Sequence, residues 1–302
     1  MDNDALSVKQ LCIQRWRGPD GLDKRLKYFD DTFQEWFKQI PQQHSQIVLT
    51  LLKHFQYYSR ESVNKFLLCL HHRLLQAPNV TDDNTIYAFI KSEDGKSNSS
   101  NDYWTEYKLI NDINPELCYE NMDAITAEQW EYIENIVFID DFSGSGRSFI
   151  FELKRHISRY IHKNVFFIAV NMMAEGQEQI KLFAAAQEIN VFLLIGDSQE
   201  KAFESGFFQN DMQAKKQISE MSSTFAIPRS EWLGYKKSQS LVAFYNNTPN
   251  NTLGFIRYNT DNYRCIFPRK HSTKPSWQNL KHNKTMRKNA NYQNRVGSSA
   301  GE

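Results

Sequence analysis

Four apolar residues, Ile136-Val137-Phe138-Ile139, run directly into two adjacent aspartates, Asp140 and Asp141. A loop of small residues follows, Phe142-Ser143-Gly144-Ser145-Gly146-Arg147-Ser148, and from Phe149 to Ile161 apolar residues recur at helical spacing. A short unbroken apolar run, β-branched and aromatic, predicts a strand buried on both faces, as in parallel sheets. Strand, small-residue loop and helix in this order restrict the chain to an α/β arrangement and create an anion site. Free backbone N–H groups and the helix dipole both point at whatever occupies the loop. Carboxylates at the mouth of such a loop suit sugar hydroxyls or a magnesium ion. A phosphate and a sugar diol together describe a ribose 5-phosphate.

The rest of the chain extends this pattern. Residues 5–78 read as helices: Leu26–Phe37, Gln46–Tyr58 and Ser62–Gln76 carry apolar residues at three- and four-residue spacing, and Ala77-Pro78 ends the last. Cys69 falls in the most apolar part of the third and is expected to be buried. From Thr81 the period changes. Thr85–Ile90, Asn164–Val170 and Asn190–Ile195 read as further strands, with a helical Glu175–Glu188 between the last two. Apolar runs alternating with amphipathic helices predict a parallel sheet covered on both faces, whose ligands bind at the carboxyl ends of the strands. Two loops leave strands at that end, Lys91–Asp102 and Asp140–Ser148, and are expected to converge on one ligand.

The Asp140–Ser148 stretch resembles the phosphoribosyl-pyrophosphate (PRPP) loop of type I phosphoribosyltransferases, acidic-acidic-apolar-x-x-(Thr/Ser)-Gly-x-(Thr/Ser). The resemblance implies ribose contacts for Asp140 and Asp141, which orient the reacting sugar. It implies 5-phosphate contacts for Ser145, Gly146 and Ser148, within the segment Ser143, Gly144, Ser145, Gly146, Arg147 and Ser148. It also implies Mg²⁺ as cofactor, held with PRPP through Asp140 and Asp141. A loop after an early core strand contacts pyrophosphate in that family. Lys91–Asn98 matches it by place and charge, with Lys91, Ser92 and Lys96 as its candidate residues.

A third segment, Leu241–Leu253, runs from a strand into Asn246-Asn247-Thr248-Pro249-Asn250-Asn251. It leads on to Gly254–Tyr258, read as a returning strand. Asn side chains donate and accept, as base recognition requires, which makes Asn246, Asn247, Asn250 and Asn251 candidates; the alternative is a turn that caps its own backbone. The cluster is similar to one in orphan phosphoribosyltransferase-like proteins of bacterial defence and conflict gene clusters. Their apolar-Phe-Pro-Arg ending stands here as Ile266-Phe267-Pro268-Arg269, without the tryptophan common near it. This resemblance spans residues 80–269 and implies an antiviral effector role beside a partner protein from a neighbouring gene.

Two other nucleotide loops compete. Gly144-x-Gly146 lacks the third glycine of a dinucleotide fingerprint, and two aspartates ahead of it would repel a pyrophosphate. Asp94-Gly95-Lys96-Ser97 has the tail of a Walker A loop, but Ile90 stands where its leading glycine belongs.

Bulk properties narrow the setting. Apolar residues make up 40% of the 302, enough for a core. The formal charge of +1 hides a basic end: residues 270–302 carry Lys270, Lys274, Lys281, Lys284, Arg287, Lys288 and Arg295 against Glu302 alone. An Asn-rich, apolar-poor basic tail is expected to be disordered and to offer RNA or DNA a weak contact. Cys12, Cys69, Cys118 and Cys265 are scattered and the eight histidines show no ligand spacing, which predicts reduced thiols, no metal cluster and a cytoplasmic protein. No 18-residue apolar stretch predicts a membrane span.

The expected organisation is therefore a helical N-terminal unit over 1–78, a phosphoribosyltransferase-like domain over 79–269 and a basic tail over 270–302. The fold class is α/β, a Rossmann-like parallel sheet of the type I phosphoribosyltransferase kind. The expected function is binding of PRPP or a ribose 5-phosphate nucleotide, with transfer or cleavage at the anomeric carbon. The alternatives are a nucleotide-binding regulator without turnover and a divergent P-loop nucleotidase.

Overall fold

The computed structural model describes residues 3–18, 21–91 and 99–270. The helices are α1 (Asn3–Trp16), α2 (Phe29–Phe37), α3 (Ser45–His54), α4 (Arg60–Leu75), α5 (Ser99–Ile110), α6 (Ala127–Tyr132), α7 (Arg147–Arg155), α8 (Ile157–Tyr160), α9 (Ala174–Ala186), α10 (Asp211–Thr224) and α11 (Gly254–Arg257). The strands are β1 (Gln56–Tyr58), β2 (Thr85–Phe89), β3 (Asn135–Ser143), β4 (Asn164–Met173), β5 (Asn190–Gln199) and β6 (Val242–Phe244).

β2, β3, β4 and β5 form one parallel sheet in that order, as the alternation of apolar runs and helices predicts. Each face is covered. One side packs Leu67 and Leu70 of α4 and Tyr103 and Tyr107 of α5 on Val137, Ile139, Ile168 and Val170. The other packs Phe149 and Leu153 of α7 and Ile180 of α9 on Ile136, Phe138 and Phe167. β3 is buried along its whole length, which explains its unbroken apolar run.

The strand lengths position the site. β2 ends at Phe89 opposite Ile139, while β3, β4 and β5 run on, pairing Phe142 with Asn171 and Asn171 with Asp197. From Asp140 onward β3 therefore lacks a β2 neighbour, and Asp140 to Ser143 line a cavity. The strand is longer than the predicted Ile136–Ile139 because its partner on the other side continues the ladder.

Four local expectations are corrected. The helix expected over Gln46–Tyr58 stops at His54, because Gln56–Tyr58 pair in parallel with Val242–Phe244. Gly254–Arg257 is a single helical turn, not a strand. Cys69 is exposed: α4 turns Val63, Leu67, Leu70 and Leu74 inward, and position 69 lies on another face. The loop expected to run from Lys91 to Asp102 is shorter, since α5 already begins at Ser99.

The boundary expected at 78/79 is also absent. Val8, Trp16, Phe29, Phe33, Trp36 and Phe55 share one core with Ala202, Ile218, Phe255, Tyr263 and Phe267. Phe267 stacks on Phe55 at 5.1 Å and on Phe29 at 6.0 Å, with Trp16 edge-on at 5.6 Å. Helices this apolar need a partner surface, and residues 202–267 supply it. The chain divides instead between Arg269 and Lys270. Apart from Lys270, the basic tail expected over 270–302 lies outside the described residues.

Candidate functional site

Asp140 and Asp141 follow the last residue of β3 that pairs with β2, 8% and 7% exposed. Asp140 Oδ1 accepts from the Asp141 backbone N–H at 2.9 Å. Burial and the neighbouring charge of Asp141 push the Asp140 carboxyl well above the usual carboxylate range. Burial also raises Asp141, opposed by hydrogen bonds from Asp140, from the Ser99 hydroxyl and from backbone. Side by side and buried, the two carboxylates disfavour carrying both charges at once, Asp140 the more strongly of the two.

The loop after the strand is packed from both sides. Gly146 occupies the left-handed region, φ 71°, and caps α7, so the loop turns sharply into the helix. A Cβ on Gly176, in the first turn of α9, would stand 2.6 Å from Gly144 O. On the other side the Asn251 amide fills the space where a side chain at 144 would be. Asn251 Nδ2 donates to Ser238 Oγ at 2.9 Å. The N-terminal amides of α7 are thereby held in place ahead of any ligand.

Across from this loop stands the turn over 245–251. Three arginines surround it, Arg257 buried and Arg25 and Arg269 half-buried. Arg25, between α1 and α2, donates to Phe244 O (2.5 Å), Thr248 Oγ1 (2.6 Å) and Pro268 O (2.8 Å). Arg257 donates to Thr252 O at 2.7 Å and pairs with Glu231 at 2.5 Å. Arg269 donates through Nη1 to Thr248 O at 2.7 Å.

Loop and turn enclose a cavity of about 590 Å³. Its walls include Asp140, Asp141 and every residue from Phe142 to Ser148 on one side, and Tyr235, Asn247, Asn250, Asn251 and Arg269 on the other. The structure thus brings together the predicted Asp140, Asp141, Ser143, Gly144, Ser145, Gly146, Arg147 and Ser148, with three of the four candidate asparagines.

The remaining candidates fare differently. Asn246 lies off the cavity, its Oδ1 accepting from the Tyr103 hydroxyl at 3.0 Å. Asn251 is engaged in the Ser238 bond and in packing on Gly144, so its amide positions the loop rather than facing a base. Lys91 is outside the walls: its Nζ donates to Asn121 Oδ1 at 3.1 Å and its backbone N–H to Glu152 Oε2 at 3.2 Å. Ser92 and Lys96 lie outside the described residues.

Tyr235 and Arg25 carried no motif. Tyr235 is 40% exposed at the cavity. It leads a strained stretch in which Lys236, Lys237 and Gln239 have φ of 54°, 58° and 53°. Clustered positive φ angles in large side chains mark segments held by their surroundings; no sequence pattern announces them. Among the described residues, no cluster of three or more His, Cys, Asp or Glu is placed to hold a metal, and no helix is long and apolar enough to cross a membrane.

The family model of PRTase-CE matches residues 33–269. The match covers most of the chain, runs through the site and crosses position 78 without a break; the chain belongs to the PRTase-CE family. That membership and the parallel α/β sheet agree with the phosphoribosyltransferase-like fold expected from the sequence. No curated protein matches it. Among solved structures it is similar to a hypothetical protein from Neisseria gonorrhoeae with bound ppGpp, at 10% identity and TM-score 0.33 over 48% of this chain and 85% of that one. It is also similar to the Helicobacter pylori xanthine-guanine-hypoxanthine phosphoribosyltransferase, at 14% identity and TM-score 0.31 over 49% of this chain and 85% of that one.

Proposed function

We propose that this protein binds PRPP or a ribose 5-phosphate nucleotide and acts at its anomeric carbon. One observation carries the reading: a buried aspartate pair and a pre-built helix N-terminal loop share one cavity. The loop amides from Gly144 to Ser148 take the 5-phosphate, and Asp140 and Asp141 accept from the ribose hydroxyls. With the sugar so held, the bond from the anomeric carbon to its leaving group breaks, the leaving group keeping the electron pair. The acceptor then forms the new bond and gives up its proton.

Mg²⁺ suits this donor set only together with the substrate, since it is usually held by one or two carboxylates plus substrate phosphates. Bound there, it would neutralise charge on the leaving group. Ligand binding without turnover is the second reading, and it rests on Lys91, whose ammonium is engaged with Asn121. A cytoplasmic setting agrees with the scattered cysteines. An antiviral role beside a partner protein rests on the resemblance to conflict-cluster proteins alone.

Calorimetry against PRPP, ribose 5-phosphate and ATP, each with Mg²⁺, tests the reading. PRPP and ribose 5-phosphate bind, and the double variant Asp140→Asn/Asp141→Asn loses both while its circular dichroism is unchanged. ATP binding alone would support a P-loop nucleotidase instead. Undiminished PRPP affinity in the double variant would sink the assignment of the aspartates.

A further inference from the structure

The two edges of the main sheet are finished differently. A neighbouring segment is seated on the outer side of β2: Tyr119 N–H donates to Tyr87 O at 2.9 Å, and Cys118 forms a parallel bridge to Tyr87. β5 pairs with β4 alone. Nine of the ten residues of β4 are buried, and none of the ten in β5 is. Among the described residues, one hydrogen bond reaches 190–196 from outside the sheet, from Arg73 Nη1 to Ile195 O at 3.1 Å.

An edge strand presents a row of unpaired N–H and C=O groups, and proteins blunt such edges with charge, lysine or proline. The run Val191-Phe192-Leu193-Leu194-Ile195-Gly196 contains none of these. Phe192 stacks on Phe166 at 5.0 Å and is still 46% exposed. The first charge after the run is Asp197, whose Oδ2 accepts from the Tyr58 hydroxyl at 2.8 Å. The edge is thus apolar, extended and without a guard.

We infer that β5 pairs antiparallel with β5 of a second copy of this chain, joining two four-stranded sheets into one. The run is its own complement. A twofold axis normal to the sheet at Leu193 sets Val191 opposite Ile195 and Phe192 opposite Leu194, apolar against apolar. No charged residue of the run meets its own copy, so like-charge repulsion does not oppose the pairing. The same axis keeps like faces together, with α4 beside α4 and α9 beside α9. Each chain offers one long open edge among the described residues, so the assembly closes at two copies. The cavity is built on β3, two strands inside this edge, so the inference stands apart from what the cavity binds.

Sedimentation equilibrium of the full chain tests this, with wild type and Phe192→Lys, each checked by circular dichroism. Wild type should dimerise reversibly in the micromolar range. Phe192→Lys should raise the dissociation constant about tenfold or more, since the axis removes the Phe192–Leu194 pair twice and places a charge on the edge. A second measurement needs no variant. Hydrogen exchange of wild-type amides in 190–196 should quicken when the protein is diluted through its dissociation constant, while amides of β4 stay protected. Wild type that stays monomeric across the micromolar range would overturn the inference. So would a dimer of undiminished affinity in Phe192→Lys, exchange in 190–196 that ignores dilution, or association that continues past two copies.

Discussion

Burying two adjacent carboxylates works against folding, and the pH dependence of stability should reveal it. Burial and mutual repulsion raise Asp140 well above the ordinary 3.8, and Asp141 also moves up. Below that ordinary value both native and unfolded chains hold the protons and nothing is lost. As pH rises, the unfolded chain ionises first while the native pair retains its proton, so the pair's contribution to stability falls. Asp140→Asn removes the repulsion and keeps the shape. It should raise Tm at neutral pH, and the gain should shrink toward pH ~4. A gain on the order of 1 kcal/mol corresponds to about 2–4 °C in a domain of this size. Scanning calorimetry of both proteins across pH checks this, and an asparagine variant less stable at every pH would contradict it. On the proposed function the same variant should also lose ribose affinity, a conflict between stability and a binding site.

At the scale of elements, the Gly144–Ser148 loop owes its shape to the neighbours packed on it. α9 begins with Gly176 against Gly144 O, with no room for a Cβ. Gly176→Ala should therefore push the loop backbone and misalign the α7 amides. Ribose 5-phosphate affinity should fall at least about tenfold, given how strongly oriented contacts depend on placement, with far-ultraviolet circular dichroism unchanged. Normal affinity in that variant would mean the loop yields to its ligand and is not pre-built. Periodicity located these elements but not their ends. β3 was legible from its apolar run, yet it extends to Ser143 because β4 continues beside it. Gln56–Tyr58 carried helical spacing and became a strand because β6 was there to pair with.

For the whole molecule, the N-terminal helices are part of the site's support. Arg25 ties the 245–251 turn to the segment ending in Arg269, and its guanidinium lies over the Phe267 ring at 5.5 Å. Phe267 itself is seated among Trp16, Phe29 and Phe55. A chain lacking residues 1–58 would expose that shared core. It should lose its cooperative thermal transition, whereas the full chain's described core melts as one unit. A truncated protein spanning 79–269 that melts cooperatively and binds PRPP would show the domains to be separable after all.

Strand, aspartate pair, loop and helix start lie in one continuous stretch from Ile136 to Phe149, and local chemistry dictates each step. Apolar β-branched residues bury a strand, small residues permit the turn, and free amides at a helix start attract an anion. That much of the site, and the α/β class with it, was legible in the sequence by itself. Of the opposite wall only the asparagines Asn247, Asn250 and Asn251 were legible. Tyr235 and Arg269 line it and Arg25 backs it, each separated in sequence from Asp140 by about a hundred residues or more; of the three only Arg269 stood in a pattern, the Ile266-Phe267-Pro268-Arg269 ending, and that pattern carried no role at the site. Lys91 looked like the ligand's cation by position, and a hydrogen bond to Asn121 took it elsewhere. Which polar groups face a cavity and which satisfy one another depends on long-range packing, because a buried donor binds the acceptor that folding brings to it.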